Sequence, residues 1–97
     1  MYMTMREYRV QPSQLDEVAR RVDEQWLGKV RAMHGFVSYH VFQPAGDQLV
    51  SIATFLDEKS GNAAAEASAE WVGEWLEDFK IEFLEQRQGP VIIHGGT

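Results

Sequence analysis

The chain has 97 residues, enough for one domain with a modest core, and 44 % apolar and 11 % aromatic residues make it a folding sequence rather than a disordered one. Fifteen acidic against nine basic side chains give a formal charge of −6, which argues against a basic patch for nucleic acid or an anionic membrane. The absence of cysteine excludes disulfides, thiolate metal sites and thiol nucleophiles, and three scattered histidines do not make a metal centre.

No apolar run approaches the roughly 18–20 residues that span a bilayer. The N-terminus MYMTMREYRV lacks the basic and apolar regions of a signal peptide, so a cytoplasmic protein is expected.

Residues 3–10 alternate and carry β-formers, which predicts a first strand. Pro12, and Ser13 with Asp16 three residues later, read as the approach and capping box of a helix. Leu15, Val18, Ala19, Val22, Trp26, Val30 and Met33 then fall on one helical face. Gly28 inside that helix marks either a close contact or a weak point, and Gly35 suits the position that ends it. GFVSYHVF (35–42) is a second strand, PAGD (44–47) a turn, and QLVSIATFL a third strand. Pairing Gln43 with Gln48 sets His40 opposite Ser51, Tyr39 opposite Ile52 and Phe36 opposite Phe55.

A second helix begins between Asp57 and Asn62, with Ala64, Ser68, Trp71, Val72, Trp75 and Phe79 as its apolar stripe. IEFLEQRQ carries no clear signal, and a last strand is expected from about Gly89. The order is β-α-β-β-α-β. This predicts a ferredoxin-like α+β domain over residues 1–97, with a four-stranded antiparallel sheet and two helices on one face.

The second and third strands are bulky on both sides, so helices on one face leave an apolar patch on the other. Covering about six such side chains is worth on the order of 10 kcal/mol per subunit. Association costs about 4–15 kcal/mol per dimer. A two-fold homodimer packed sheet to sheet follows, and the branched residues Val37, Tyr39, Val41, Val50 and Ile52 are assigned to that interface. Phe36, Ser38, His40, Phe42, Ser51, Ala53 and Phe55 are assigned to the helix side, where small residues beneath an alanine-rich helix can leave a hollow.

GF-x-x-Y opening strand two, a short polar hairpin, FLD at 55–57 closing strand three and ASAEW at 67–71 in helix two resemble the antibiotic biosynthesis monooxygenase-like domains of the dimeric α/β-barrel superfamily. The resemblance covers nearly the whole chain. It implies a dimeric α/β barrel and a cofactor-free monooxygenase, needing neither metal nor flavin, in which the substrate's own carbanion reduces oxygen. Haem-degrading relatives carry an Asn on strand one and a His on helix two. Residues 3–10 hold no Asn and residues 58–79 no His, which sets this chain apart from them.

The candidate catalytic residues are His40, as proton acceptor, and Trp71, as a wall for an aromatic substrate. The candidate binding residues are Ser38, Ser51, Phe55, Arg6, Tyr8 and Trp75. His40 also reads as a core histidine satisfied by Ser51 or a helix carbonyl. Alternation does not settle which face of strand one meets the helices, because Met3 and Met5 oppose Arg6 and Tyr8. Three readings follow: an oxygenase of a small aromatic or enolisable substrate, a non-catalytic small-molecule-binding dimer, and a dimerising module with a closed core.

Overall fold

The computed structural model describes residues 1–96. In chain order the elements are β1 (Tyr2–Val10), a 3₁₀ turn (Pro12–Gln14), α1 (Leu15–Arg21), a π-helical turn (Val22–Trp26), α2 (Leu27–Arg31), β2 (Phe36–Ala45), β3 (Gln48–Phe55), α3 (Glu58–Trp75) and β4 (Ile81–Pro90). The strands form one antiparallel sheet in the order β2-β3-β1-β4, and the helices lie on one face of it. This is the ferredoxin-like α+β fold.

Helix α1, the π turn and α2 run as one continuous helix. Val18, Trp26 and Val30 are buried, and Val22 is partly buried. These four residues step by four, and in a pure α-helix each such step drifts about 40° around the axis. The π turn, in which the Leu27 N–H donates to the Val22 carbonyl, absorbs the drift and keeps all four toward the sheet. The Ser13 capping box does not form. Ser13 lies inside the 3₁₀ turn, which leads the chain into α1 without a side-chain cap.

At the other end Gly35 adopts φ 76°, a left-handed conformation that a side chain resists, and its carbonyl accepts from the Leu56 N–H at 2.8 Å. Helix α3 starts on Asp57, whose carboxylate accepts from the Ser60 N–H at 2.8 Å. That hydrogen bond holds the Asp57 carboxyl below its usual range.

Register differs from expectation at two places in β2: between Phe42 and Ala45, where Ala45 rather than Gln43 opposes Gln48, and, with larger effect, near its start. Phe36 pairs with Phe55, but Ser38 pairs with Thr54, so Val37 is an extra residue in β2. Beyond it Tyr39 opposes Ala53, His40 opposes Ile52, and Val41 opposes Ser51. The bulge exchanges the two faces of the strand. Phe36, Tyr39 and Val41 lie on the helix side with Leu49, Ser51, Ala53 and Phe55. Ser38, His40 and Phe42 lie on the bare side with Val50, Ile52 and Thr54. The assignment of Tyr39 and Val41 to a dimer face, and of Ser38, His40 and Phe42 to the helix side, is therefore corrected. Val50 and Ile52 do lie on the bare face, and Phe36, Ser51, Ala53 and Phe55 on the helix side, as expected.

On β1, Tyr2, Thr4, Arg6, Tyr8 and Val10 share the helix face. Their partners on β3 and β4 and the packing of Gly61 against Tyr2 and Thr4 fix this. Strand β4 ends, rather than begins, at Gly89-Pro90. Glu7 pairs with Glu85 and Tyr8 with Phe83, so Leu84 is an extra residue in β4, and it hides the alternation of IEFLEQRQ. Pro90 is tolerated because β4 is an edge strand. Trp75 is 48 % exposed at the end of α3, and Leu76 fills the buried position instead.

The core gathers Phe55, Val10, Val30, Val18, Trp26 and Trp71 between sheet and helices. A Cβ at Gly61 would lie 2.6 Å from the Tyr2 ring, so α3 approaches β1 as closely as glycine permits. A Cβ at Gly28 would meet nothing within 4 Å. Gly28→Ala is expected to stabilise the fold by about 0.5–1 kcal/mol through helix propensity. Gly61→Ala should lower the melting temperature despite the same propensity gain. Thermal melts of the two variants check this, and an equal gain in both would show that the Tyr2 contact imposes no constraint.

Candidate functional site

Small residues on both layers leave space between sheet and helices. Ser51 and Ala53 on β3 face Ala64, Ala65 and Ser68 on α3. Two adjoining hollows result, of about 40 Å³ and about 10 Å³. Both are bounded by Trp26, Tyr39, Ser51 and Ser68. The larger is otherwise apolar, closed by Trp71, Val10, Leu49 and Leu76, with Tyr8 at its side. The smaller reaches Thr4 and Arg6. Val41, which is exposed, and the half-buried Val72 and Ile81 form the rim of the larger one.

The larger hollow has room for two or three waters at roughly 10–15 Å³ each, and benzene occupies a cavity of about 150 Å³. Entry of an aromatic ligand therefore requires side chains to move. Trp26 and Trp71 are the largest side chains that border the larger hollow. Their rings lie 5.7 Å apart at 36°, one on the first helix and one on α3. At the neighbouring edge Arg21 grips Asp78 through two hydrogen bonds of 2.9 and 3.1 Å and donates to the Trp75 carbonyl at 2.9 Å. Its guanidinium lies 4.5 Å from the Phe79 ring centroid. The hydrogen bonds from Arg21, with its charge behind them, hold the Asp78 carboxyl below its usual range.

Polar chemistry in the hollows comes from few groups. The Arg6 Nε donates to the Tyr8 hydroxyl at 2.6 Å, and its Nη1 donates to Gln86 Oε1. The Arg6 guanidinium also lies 4.5 Å from the Phe83 ring centroid. Among the described residues Arg6 forms no ion pair with a carboxylate. Burial pushes the Tyr39 phenol well above its ordinary range, and the nearby Tyr8 adds to the shift, while Trp26 and Ser51 moderate it. The Trp26 indole N–H approaches the Tyr39 oxygen without reaching hydrogen-bond geometry, and it is buried with no partner among the described residues. No histidine, aspartate or glutamate among the described residues lines either hollow.

The fold thus brings together Trp71, Ser51, Arg6 and Tyr8 of the residues singled out in the sequence. It does not bring in the others. His40 and Ser38 face the bare side of the sheet, beyond the bulge. Phe55 is fully buried against Phe36 and touches neither hollow. Trp75 stands outside, over Lys29. Tyr39, Trp26 and Ser68 enter instead. The four-residue spacing of Val18, Val22, Trp26 and Val30 was the available signal for Trp26. For Tyr39 there was none without the bulge.

Because the neutral phenol of Tyr39 is favoured in the fold, its contribution to stability is present below about pH 10. That contribution is lost as pH rises through the higher folded value. Ultraviolet titration should show one phenol that stays protonated above the ordinary tyrosine range until the protein unfolds, and Tyr39→Phe should abolish that component. Its persistence in the variant would assign the buried phenol elsewhere.

Comparison with known proteins places the fold. HapK from Hahella chejuensis superposes with a TM-score of 0.79 at 14 % identity, covering 100 % of this chain and 98 % of that one. A dimeric ferredoxin-like protein from an uncultured marine organism gives 0.73 at 15 %, over 99 % and 98 %. SnoaB, a cofactor-independent oxygenase from Streptomyces nogalater, gives 0.68 at 15 %, over 96 % and 94 %. No protein of curated function matches in sequence. The family model described as antibiotic biosynthesis monooxygenase matches residues 1–72, and this chain belongs to that family.

Proposed function

We propose that the chain is a cofactor-independent monooxygenase of a small aromatic, enolisable substrate, which it holds between α3 and the sheet. The observation that carries this is the pair of joined hollows between two tryptophans, with an arginine free of carboxylate partners among the described residues at one end. Family membership and the likeness to SnoaB, a cofactor-independent oxygenase, support the reaction class. The Trp71 ring stacks on the substrate, and the Arg6 guanidinium, fixed by Tyr8 and Gln86, stabilises a developing enolate oxygen. The substrate loses a proton and passes an electron to dioxygen, and the radical pair couples to form a C–O bond. The O–O bond of the resulting peroxide then breaks as a second proton leaves carbon. One oxygen atom ends in a carbonyl and the other in water.

With no imidazole or carboxylate at the hollows among the described residues, the substrate must ionise readily near neutral pH. The same lack of a base favours a second reading, a dimer that binds such a ligand without turning it over. Oxygen uptake with an anthrone such as dithranol separates the two. Uptake is expected, falling at least about tenfold in Arg6→Gln and in Trp71→Phe. A rise in melting temperature with dithranol recovered unchanged would replace the first reading with the second.

We further propose that the working unit is a homodimer joined through the bare sheet face. Met3 is 40 % and Phe42 50 % exposed there, beside Met5, Val50 and Ile52. Sedimentation should give twice the 11.1 kDa chain mass, and Ile52→Glu should return it to one. A wild-type chain that sediments at its own mass at micromolar concentration overturns this.

A further inference from the structure

From the unpartnered indole of Trp26 we infer a ligand-oxygen subsite, in which the Trp26 Nε1–H donates to a carbonyl or enolate oxygen held among Tyr39, Ser51 and Ser68. The inference rests on the binding site proposed above but not on catalysis there. Three facts converge. Trp26 is 4 % exposed, and its N–H has no acceptor among the described residues, a state that costs free energy unless something fills it. The same side chain borders both hollows, so the donor sits at their junction. It stands at the end of the π turn, a local departure from regular helix of the kind that recurs at functional sites.

The surroundings define what fits. The side chains shared by both hollows are an indole, a phenol and two hydroxyls, and all four can donate. The Tyr39 phenol stays neutral at physiological pH and keeps its proton to give. No carboxylate among the described residues competes for these donors at the hollows. Four converging donors with no carboxylate beside them are complementary to an acceptor oxygen on the ligand, and most strongly to one gaining negative charge, which competes for them with the neutral Tyr39 oxygen. The ligand class is therefore an aromatic ketone or enol with a single ring-attached oxygen that reaches the junction, its apolar body against Trp71 and Leu49.

The test compares 1-tetralone with tetralin, which share a ring skeleton and differ by the carbonyl. In proton–nitrogen spectra of the intact wild-type protein the three tryptophan indole N–H signals are assigned by substitution. 1-Tetralone is expected to move the Trp26 signal downfield as a hydrogen bond forms, tetralin to leave it without that shift, and the exposed Trp75 to respond to neither. 1-Tetralone should bind about three- to tenfold more tightly than tetralin, and in Trp26→Phe that preference should fall toward unity. Should Trp26→Phe fail to fold, the wild-type spectra decide alone. Equal responses to the two compounds, a preference that survives in Trp26→Phe, or no response to either at millimolar concentration overturns the inference. The Trp26 shift without oxygen uptake supports the subsite and removes only the oxygenase reading. Uptake of oxygen with dithranol and an unmoved Trp26 signal does the reverse.

Discussion

The structure depends on one extra residue in an edge strand. A β-strand alternates its side chains strictly, so the residue inserted at Val37 turns over β2 from Ser38 to Phe42. Tyr39 and Val41 are carried inward against the helices, and His40 and Phe42 outward. Phe36, before the bulge, still meets Phe55 edge-on in the core, with ring centroids 6.0 Å apart. Both faces of the strand can therefore be bulky without conflict: the inward aromatics on either side of the bulge belong to opposite phases of the sequence. The polar character of the interior follows from the same insertion. It exchanges the His40 imidazole for a phenol that burial keeps protonated.

That exchange sets the chemistry of the interior. Donors gather at the junction of the two hollows, while the arginine, held by a phenol and an amide, supplies the nearby positive charge. An environment of this kind stabilises negative charge on a ligand but offers nothing to remove a proton. The burden of acidity falls on the ligand, and the protein contributes shape, stacking and a field.

Much of the architecture was legible in the sequence. The β-α-β-β-α-β order came from plain periodicity, and the glycine after the first helix and the aspartate before α3 marked their boundaries. The face of β3 was read correctly because that strand runs without interruption from Gln48 to Phe55. The errors share a cause. Val37 and Leu84 each shift the count by one, and counting is all that alternation offers. Neither bulge is announced by glycine or proline at its own position, so β2 was assigned with its faces reversed and β4 was displaced toward its end. Trp75 failed for a different reason. Its helix stops there, and a stripe drawn past the last turn has no sheet beneath it. Of the site, Trp71, Ser51, Arg6 and Tyr8 were visible as residue types on the right strands and helix, but the hollow that unites them depends on Tyr39.

The glycine contact between α3 and β1 sets how closely that helix lies on the sheet, since at Gly61 it rests almost on the Tyr2 ring. One and two turns further along the same helix, Ala64, Ala65 and Ser68 roof the smaller hollow. Bulk added at Gly61 would have to lift the helix from the strand, so the depth available to a guest is set in part from a contact that the guest never touches.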